Sequence, residues 1–196
     1  MRLVTALAWA ALGASLAGAD APAWWRTFIH APRMEARFVQ EADSAVFGKL
    51  TRTGTLRLGG GGRLRVEYTK GLLLVADGKS LVQYDAQART AQKVDLRSAS
   101  QGAPLLWVLL DPDALDKVFT LKPGPGPDAF SLEPRGKGLP TVFLEGKGGL
   151  PLRIRWTDPT GAHQVLAFQG PHAPAAPFPA SLFVFSPPAG TRWLSN

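Results

Sequence analysis

Side chains that commonly carry out catalysis are few in this chain and lie far apart in sequence. It has no cysteine, and His30, His163 and His172 show no spacing typical of a metal site. No G-x-S-x-G motif follows the first 19 residues, and no carboxylate pair stands out among acidic residues that fall mostly in turns or on charged faces. The glycines at 59–62 precede a predicted strand, which favours a turn over a phosphate-binding loop. We therefore predict a protein that is not an enzyme and binds no metal or cofactor.

The elements that would position a site are mainly strands. R-L-R-V-E-Y at 63–68 alternates charged and apolar residues, which places each set on one face of a strand. Asp77-Gly78 separates two apolar runs and predicts a hairpin. Further strands are predicted at 34–40, 49–58, 91–96, 130–133, 141–145, 152–157, 164–168 and 182–185. The pattern indicates an antiparallel sheet with one apolar and one solvated face.

Two segments have helical spacing instead. Residues 21–31 place Trp24, Trp25, Phe28 and Ile29 on one face, and a leucine-rich helix is expected at 105–110, after Pro104 and before Asp111-Pro112. Residues 113–119 predict a further helical turn. About eleven short strands with two or three short helices predict a mainly β fold in which helices cover the apolar face of one strongly curved sheet.

The first 19 residues are typical of a signal peptide. Arg2 forms a short positive region, residues 3–16 are apolar, and Ala17-Gly18-Ala19 suits cleavage, which leaves one domain at 20–196. Asp20 follows the cleavage site instead of the cysteine of a lipoprotein, so we expect a soluble exported protein. The net charge of +7 suits an anionic membrane surface or an acidic partner better than nucleic acid, and a basic surface without a role stays an alternative.

Six motifs, in this order, resemble the LolA family of periplasmic carriers of outer-membrane lipoproteins. Each motif alone is weak, but their succession over nearly all of residues 20–196 makes a specific pattern. They are F-V-Q at 38–40, G-R-L-R-V-E-Y at 62–68, V-A-D-G-K-S-L-V-Q-Y-D at 75–85, G-A-P-L-L-W-V-L-L from Gly102, P-L-R-I-R-W-T-D from Pro151, and F-V-F-S-P-P-A-G at 183–190.

The resemblance implies an incomplete antiparallel β-barrel of about eleven strands, closed by α-helices over an apolar cavity. It also implies a soluble, monomeric periplasmic carrier that performs no chemistry. Such a carrier receives acylated lipoproteins from an inner-membrane LolCDE-type ABC transporter and delivers them to a LolB-type outer-membrane acceptor. The alternative is a periplasmic lipid-binding or envelope-sensing protein of the same fold with a different lipid ligand.

Elementary energetics supports an apolar concavity for such a task. Exposing a methylene costs about 0.8 kcal/mol, so one chain of ~16 carbons costs on the order of 12 kcal/mol to carry through water. Inward strand positions and the leucine-rich helix would supply the apolar surface. The predicted ligand-binding residues of the cavity wall are Phe38, Leu56, Leu58, Leu64, Val66, Tyr68, Leu152, Ile154 and Trp156, and those of the lid are Leu105, Leu106, Leu109 and Leu110.

One departure from the family pattern concerns the lid. Family members often carry an arginine-proline pair between the second and third strands, and that arginine helps to latch the lid by bonding to helix carbonyls. Aligned on R-L-R-V-E-Y, those positions are Gly60 and Gly61 in this chain. Arg57 and Arg63 are the candidate substitutes for the latch.

Overall fold

The computed structural model describes residues 21–96 and 115–195. The predicted signal peptide and the predicted helix at 105–110 lie outside these residues. The described elements are α1 (Ala23–Ile29), β1 (Met34–Ser44), β2 (Gly48–Gly60), β3 (Arg63–Tyr68), β4 (Leu72–Asp77), β5 (Ser80–Asp85), β6 (Thr90–Asp95), α2 (Leu115–Val118), β7 (Phe119–Pro123), β8 (Ala129–Pro134), β9 (Val142–Lys147), β10 (Leu150–Thr157), β11 (His163–His172), a 3₁₀ helix (Ala180–Phe183) and β12 (Arg192–Leu194).

All of the described strands belong to one open, curled sheet. Its order is β12-β6-β5-β4-β3-β2-β1-β11-β10-β9-β8-β7, so the pairing of β1 with β11 joins the two halves of the chain. Neighbours are antiparallel except for β12, which pairs parallel to β6. The mainly β prediction with one curved sheet is confirmed. The described residues contain twelve strands, because β7 and β12 are added to the eleven expected and the strand expected at 182–185 does not form.

The core fills the inner face of this sheet. Alternate side chains of β1–β3 and β8–β11 form one buried hydrophobic cluster, and α1 packs its aromatic residues onto the second half of it. The ring centres of Trp25 and Phe130 are 5.2 Å apart, and those of Phe28 and Phe168 are 5.9 Å apart. The Trp24 indole donates a hydrogen bond to the Asp128 carbonyl at 3.1 Å. The helix predicted from aromatic spacing is confirmed, and its burial supplies a large hydrophobic stabilisation.

Gly54 allows two rings to meet on the inner face between β1 and β3. It pairs with Phe38 on one side and with Tyr68 on the other. A Cβ atom on Gly54 would lie 2.6 Å from Cζ of Phe38. Because that volume is free, the Phe38 and Tyr68 rings pack edge to face with centres 5.2 Å apart.

The outer face of β4–β6 is not solvated as the alternating pattern predicted. Val82, Tyr84 and Ala91 are buried there, and Phe185 from the C-terminal segment packs against them. The ring centres of Tyr84 and Phe185 are 5.2 Å apart. The sheet therefore carries a second, smaller hydrophobic cluster on its outer side, and the predicted solvated face is wrong for these strands.

The C-terminal segment that covers this cluster also corrects the strand predicted at 182–185. Its backbone forms the 3₁₀ helix after Pro179, and the Leu182 carbonyl accepts a hydrogen bond from Nη1 of Arg65 at 3.1 Å. Phe183 is buried. The apolar run packs on the outer face rather than joining the sheet, and prolines 177, 179, 187 and 188 provide no N–H for strand pairing.

Leu152 does not point inward as alternation predicted. The pairing of β10 with β9 shifts register between Pro151 and Arg153, which breaks the two-residue period. Pro151 is consequently buried, whereas Leu152 is 37% exposed. Regular alternation resumes at Ile154, which is 1% exposed.

The register shift predicts that truncating two nearby apolar residues of β10 will lower the stability of the protein by unequal amounts. We expect Ile154→Ala to lower the free energy of unfolding by about 2–5 kcal/mol, because it removes buried methyl groups from the inner cluster. Leu152→Ala is the matched control and should change it by less than about 0.5 kcal/mol. Urea denaturation followed by tryptophan fluorescence measures both values. Equal losses would contradict the assignment of these two side chains.

Candidate functional site

The candidate site is the inner face of the curled sheet, where most residues predicted for the cavity wall come together. Six of them are buried in the inner cluster, and Tyr68 and Trp156 are partly buried against it. Leu152 is the exception, since it lies on the exposed side of the register shift. The six buried residues are Phe38, Leu56, Leu58, Leu64, Val66 and Ile154.

The predicted lid residues Leu105, Leu106, Leu109 and Leu110 lie outside the described residues, so their role stays a prediction. The ligand-binding role of the wall residues is likewise a prediction. What the structure describes is a common face: a continuous, buried apolar lining that runs from β3 through β1 to β8.

Arg57, the first candidate latch, lies on the outer face. Its Nε is 2.6 Å from Oε2 of Glu35 on β1, and its Nη1 is 3.4 Å from Oε1 of Glu67 on β3. Arg65 also pairs with Glu67. The four charges form a ladder across β1–β3, an arrangement typical of cross-strand stabilisation.

Arg63, the second candidate latch, holds its own hairpin. Its Nη2 donates to the Gly59 carbonyl at 2.5 Å and its Nε donates to the Gly60 carbonyl at 3.1 Å. The guanidinium also lies 5.6 Å from the ring centre of Phe183, a cation–π contact with the C-terminal segment. The carbonyls of the predicted lid fall outside the described residues, so latching by either arginine stays a prediction.

At one end, the inner face changes from apolar to polar. The Tyr68 hydroxyl donates to Oε1 of Gln40 at 2.8 Å, and Nε2 of Gln40 donates to Oε1 of Gln164 at 3.2 Å. Nε2 of Gln164 then donates to Oδ2 of Asp158 at 2.9 Å. Burial raises the pKa of the Tyr68 hydroxyl, and the charge of Arg52 opposes that shift.

Sequence reasoning missed this polar end. Gln40 continues the inward series that begins at Met34, Ala36 and Phe38, so the two-residue period could have placed it on the inner face. Arg52 pairs with Gln40 across β1 and β2 and belongs to the same face. We call Gln40, Arg52, Tyr68 and Gln164 the polar rim.

Asp158 closes the turn between β10 and β11 beside the polar rim. Its Oδ1 accepts hydrogen bonds from the backbone N–H groups of Thr160 and Ala162 at 2.9 and 3.1 Å. The Thr160 hydroxyl bonds to the same oxygen and is the main cause that lowers the pKa of the Asp158 carboxyl. Gln164 and the two backbone donors lower it further, and partial burial opposes them.

Two recesses lie at the margins of the inner cluster, and Phe38 and Tyr68 contribute to the first and Trp156 to the second. One, of about 440 Å³, opens on the outer face beside Gly54, with walls formed by Arg37, Thr55 and Glu67. The other, of about 650 Å³, lies at the ends of β9–β11 and includes Phe143. The residues of the inner cluster are each at most 8% exposed, so a ligand would reach them only where side chains or their cover move apart.

Within residues 21–96 and 115–195, no group of three or more histidine, cysteine, aspartate or glutamate side chains could hold a metal ion. In the same residues no helix has the length and apolar character needed to cross a membrane.

Comparison with known proteins agrees with this fold. The family model described as outer membrane lipoprotein carrier protein LolA matches residues 30–186. The chain belongs to the LolA family. The match covers the inner face from β1 to β11 and the C-terminal segment up to residue 186. No curated protein matches the chain by sequence.

Three solved structures illustrate what the chain is similar to. An uncharacterized conserved protein from Thermus thermophilus aligns with TM-score 0.53 and 14% identity over 87% of this chain and 94% of that one. A LolA superfamily protein from Nitrosomonas europaea aligns with TM-score 0.48 and 9% identity over 85% of this chain and 99% of that one. A chain of the Pseudomonas aeruginosa MucA/MucB complex aligns with TM-score 0.38 and 20% identity over 83% of this chain and 60% of that one. At 14% identity, the likeness to the Thermus thermophilus protein concerns the fold alone.

The lowered pKa of Asp158 predicts an acid-dependent contribution to stability. A carboxyl whose pKa is lower folded than unfolded stabilises fully above the unfolded value, near pH 4, and loses that contribution as the pH falls through the folded value. We expect Asp158→Asn to flatten the decline of unfolding free energy between about pH 5 and pH 2. The remaining decline should include Asp77, whose pKa is also lowered.

Urea denaturation at stepwise pH measures this effect. The control is Asp116→Asn, which neutralises an exposed aspartate of α2. If both substitutions change the pH profile to the same extent, the hydrogen bonds of the turn are not the source of the effect.

Proposed function

We propose that this protein is a soluble periplasmic carrier that binds the acyl chains of lipoproteins against the inner face of its curled sheet. In this proposal it takes its cargo from an inner-membrane LolCDE-type ABC transporter and delivers it to a LolB-type outer-membrane acceptor. The observation that carries the proposal is the continuous apolar lining of an open sheet in a chain of the LolA family.

The chemistry of the lining suits hydrocarbon. Phe38, Leu56, Leu64 and Val66 present only carbon atoms to the inner side, and all are at most 8% exposed. An acyl chain that replaced their present contacts would exchange one hydrophobic surface for another. Such an exchange needs little net free energy, so it is readily reversed at an acceptor with a larger apolar surface.

Uptake requires an opened form, because the apolar side chains of the inner face are buried. A cavity that is closed in the main conformation can be open in a minor one, and a ligand that binds the open form makes that form dominant. An open sheet is suited to such a change, since its two edge strands are not joined and the inner cluster can separate without breaking the β1–β11 pairing.

A bulky substitution on the inner face tests the proposal. Leu74 on β4 pairs with Val66 and packs partly buried against the inner cluster. We expect Leu74→Trp to weaken binding of a fluorescent palmitoyl probe about tenfold, because roughly two methylenes lose their place at about 0.8 kcal/mol each. Fluorescence titration of the purified protein measures the dissociation constant.

Leu152→Trp is the matched control, since it adds the same bulk at an exposed position, and it should leave probe binding unchanged. Native mass spectrometry of protein isolated from the periplasm then identifies the cargo. Recovery of acylated protein supports the carrier, and recovery of a different lipid supports a carrier with another ligand. If the wild-type protein binds no palmitoyl probe and takes up no acyl chains from inner-membrane vesicles, the proposal is wrong.

A further inference from the structure

The polar rim lies where the apolar lining ends on the inner face. Phe38 is followed two residues later by Gln40, and on β11 Phe168 and Leu166 give way to Gln164. Across β2, Gly54 is followed on the same face by Arg52. One end of the inner surface therefore carries hydrogen-bonding side chains, whereas the rest carries hydrocarbon.

The hydrogen bonds of the polar rim all run in one direction. Tyr68 donates to Gln40, Gln40 donates to Gln164, and Gln164 donates to Asp158. Each glutamine amide has two N–H groups, and the described hydrogen bonds use one of each. One donor of Gln40 and one of Gln164 thus have no partner in the described part of the chain, and the Arg52 guanidinium beside them adds further donors.

A buried N–H group elsewhere on the inner face also lacks a hydrogen-bond acceptor among the described residues. Nε1 of Trp25 is buried and has no hydrogen-bond partner within the residues that the structure describes. Leaving such a group unpaired is costly, whereas an uncharged acceptor brought by a ligand would satisfy it. These spare groups are donors, so a ligand that brings acceptors would complement them.

We propose that the polar rim binds the carbonyl oxygens that join acyl chains to their head group. Ester and amide carbonyls are uncharged acceptors, and they stand directly at the end of the hydrocarbon chain, as the rim stands at the end of the lining. The amides of Gln40 and Gln164 donate to these oxygens. This inference rests on the proposed function and assigns the end of the inner face at which the head group lies.

Two ligands that differ in oxygen content separate this role from general binding. The first is a synthetic triacylated lipopeptide, which has two ester carbonyls and one amide carbonyl on its acyl chains. The second is diphenylhexatriene, a fluorescent hydrocarbon without oxygen. We expect Gln40→Met and Gln164→Met to weaken lipopeptide binding about fivefold to tenfold each, because each removes a hydrogen-bond donor, and to change diphenylhexatriene binding less than twofold.

The matched control is Gln169→Met, which makes the same change at an exposed position of β11. Tyr68→Phe provides a second test that keeps the shape of the ring, and it should weaken lipopeptide binding through the loss of alignment of Gln40. Thermal unfolding of each variant, measured beside the wild-type protein, identifies one that fails to fold, in which case Arg52→Gln replaces it.

The outcomes distinguish this inference from the proposed function. Equal weakening of both ligands would mean that the rim is only structural, and no weakening of either would mean that it does not touch the ligand. Both results overturn the inference and leave the carrier proposal standing. If wild-type protein binds neither ligand, the carrier proposal itself fails.

A third ligand, phosphatidylglycerol, identifies the source of the carbonyls. If the protein binds phosphatidylglycerol more tightly than the lipopeptide, and Arg52→Gln removes this preference, the carbonyls belong to a phospholipid rather than to a lipoprotein.

Discussion

The structure depends on how an open sheet keeps a concave apolar face away from water. A closed barrel would bury that face on itself, but this sheet ends at β7 and β12 and has to be covered by other elements. Trp24, Trp25 and Phe28 of α1 provide the cover over the half formed by β8–β11. This short helix contributes aromatic area far beyond its length, so its packing is central to the stability of the second half of the sheet.

The outer face is held by different interactions. Glu35, Arg57 and Glu67 link β1 to β2 and β2 to β3. From the C-terminal segment, Phe183 packs beside Gly59 and Arg63, and Phe185 packs against Tyr84 of β5. Exposed ion pairs add little stability each, but a ladder that spans three strands fixes their relative register. A sheet fixed in this way from outside is suited to serve as a stable wall for the inner cluster.

Sequence alone predicted those parts of the fold that follow a strict two-residue period. At 63–68 the pattern placed Leu64 and Val66 correctly, because the register shift between β2 and β3 lies at Leu58/Gly60 and the pairing is regular from Leu64 onward. At Leu152 it failed, since a register shift inverts a face without leaving a mark in the composition. At 182–185 it failed for another reason: an apolar run that packs on a sheet resembles one that joins it. The sequence did not reveal β7, because Lys122 and Pro123 occur in turns as well as in edge strands.

The hairpin between β2 and β3 explains why the arginine-proline pair of the family pattern has no counterpart here. Gly60 and Gly61 have φ angles of 66° and 60°, in the left-handed region. Proline is restricted to φ near −65°, so it cannot occupy Gly61 in this hairpin. The arginine nearest to the turn, Arg63, already binds the Gly59 and Gly60 carbonyls. Under the proposed function, apolar contacts of the inner cluster contribute to closure of the inner face, and latching by Arg57 or Arg63 stays a prediction. Apolar contacts lack directionality, which suits a cover that must separate and close again around hydrocarbon chains.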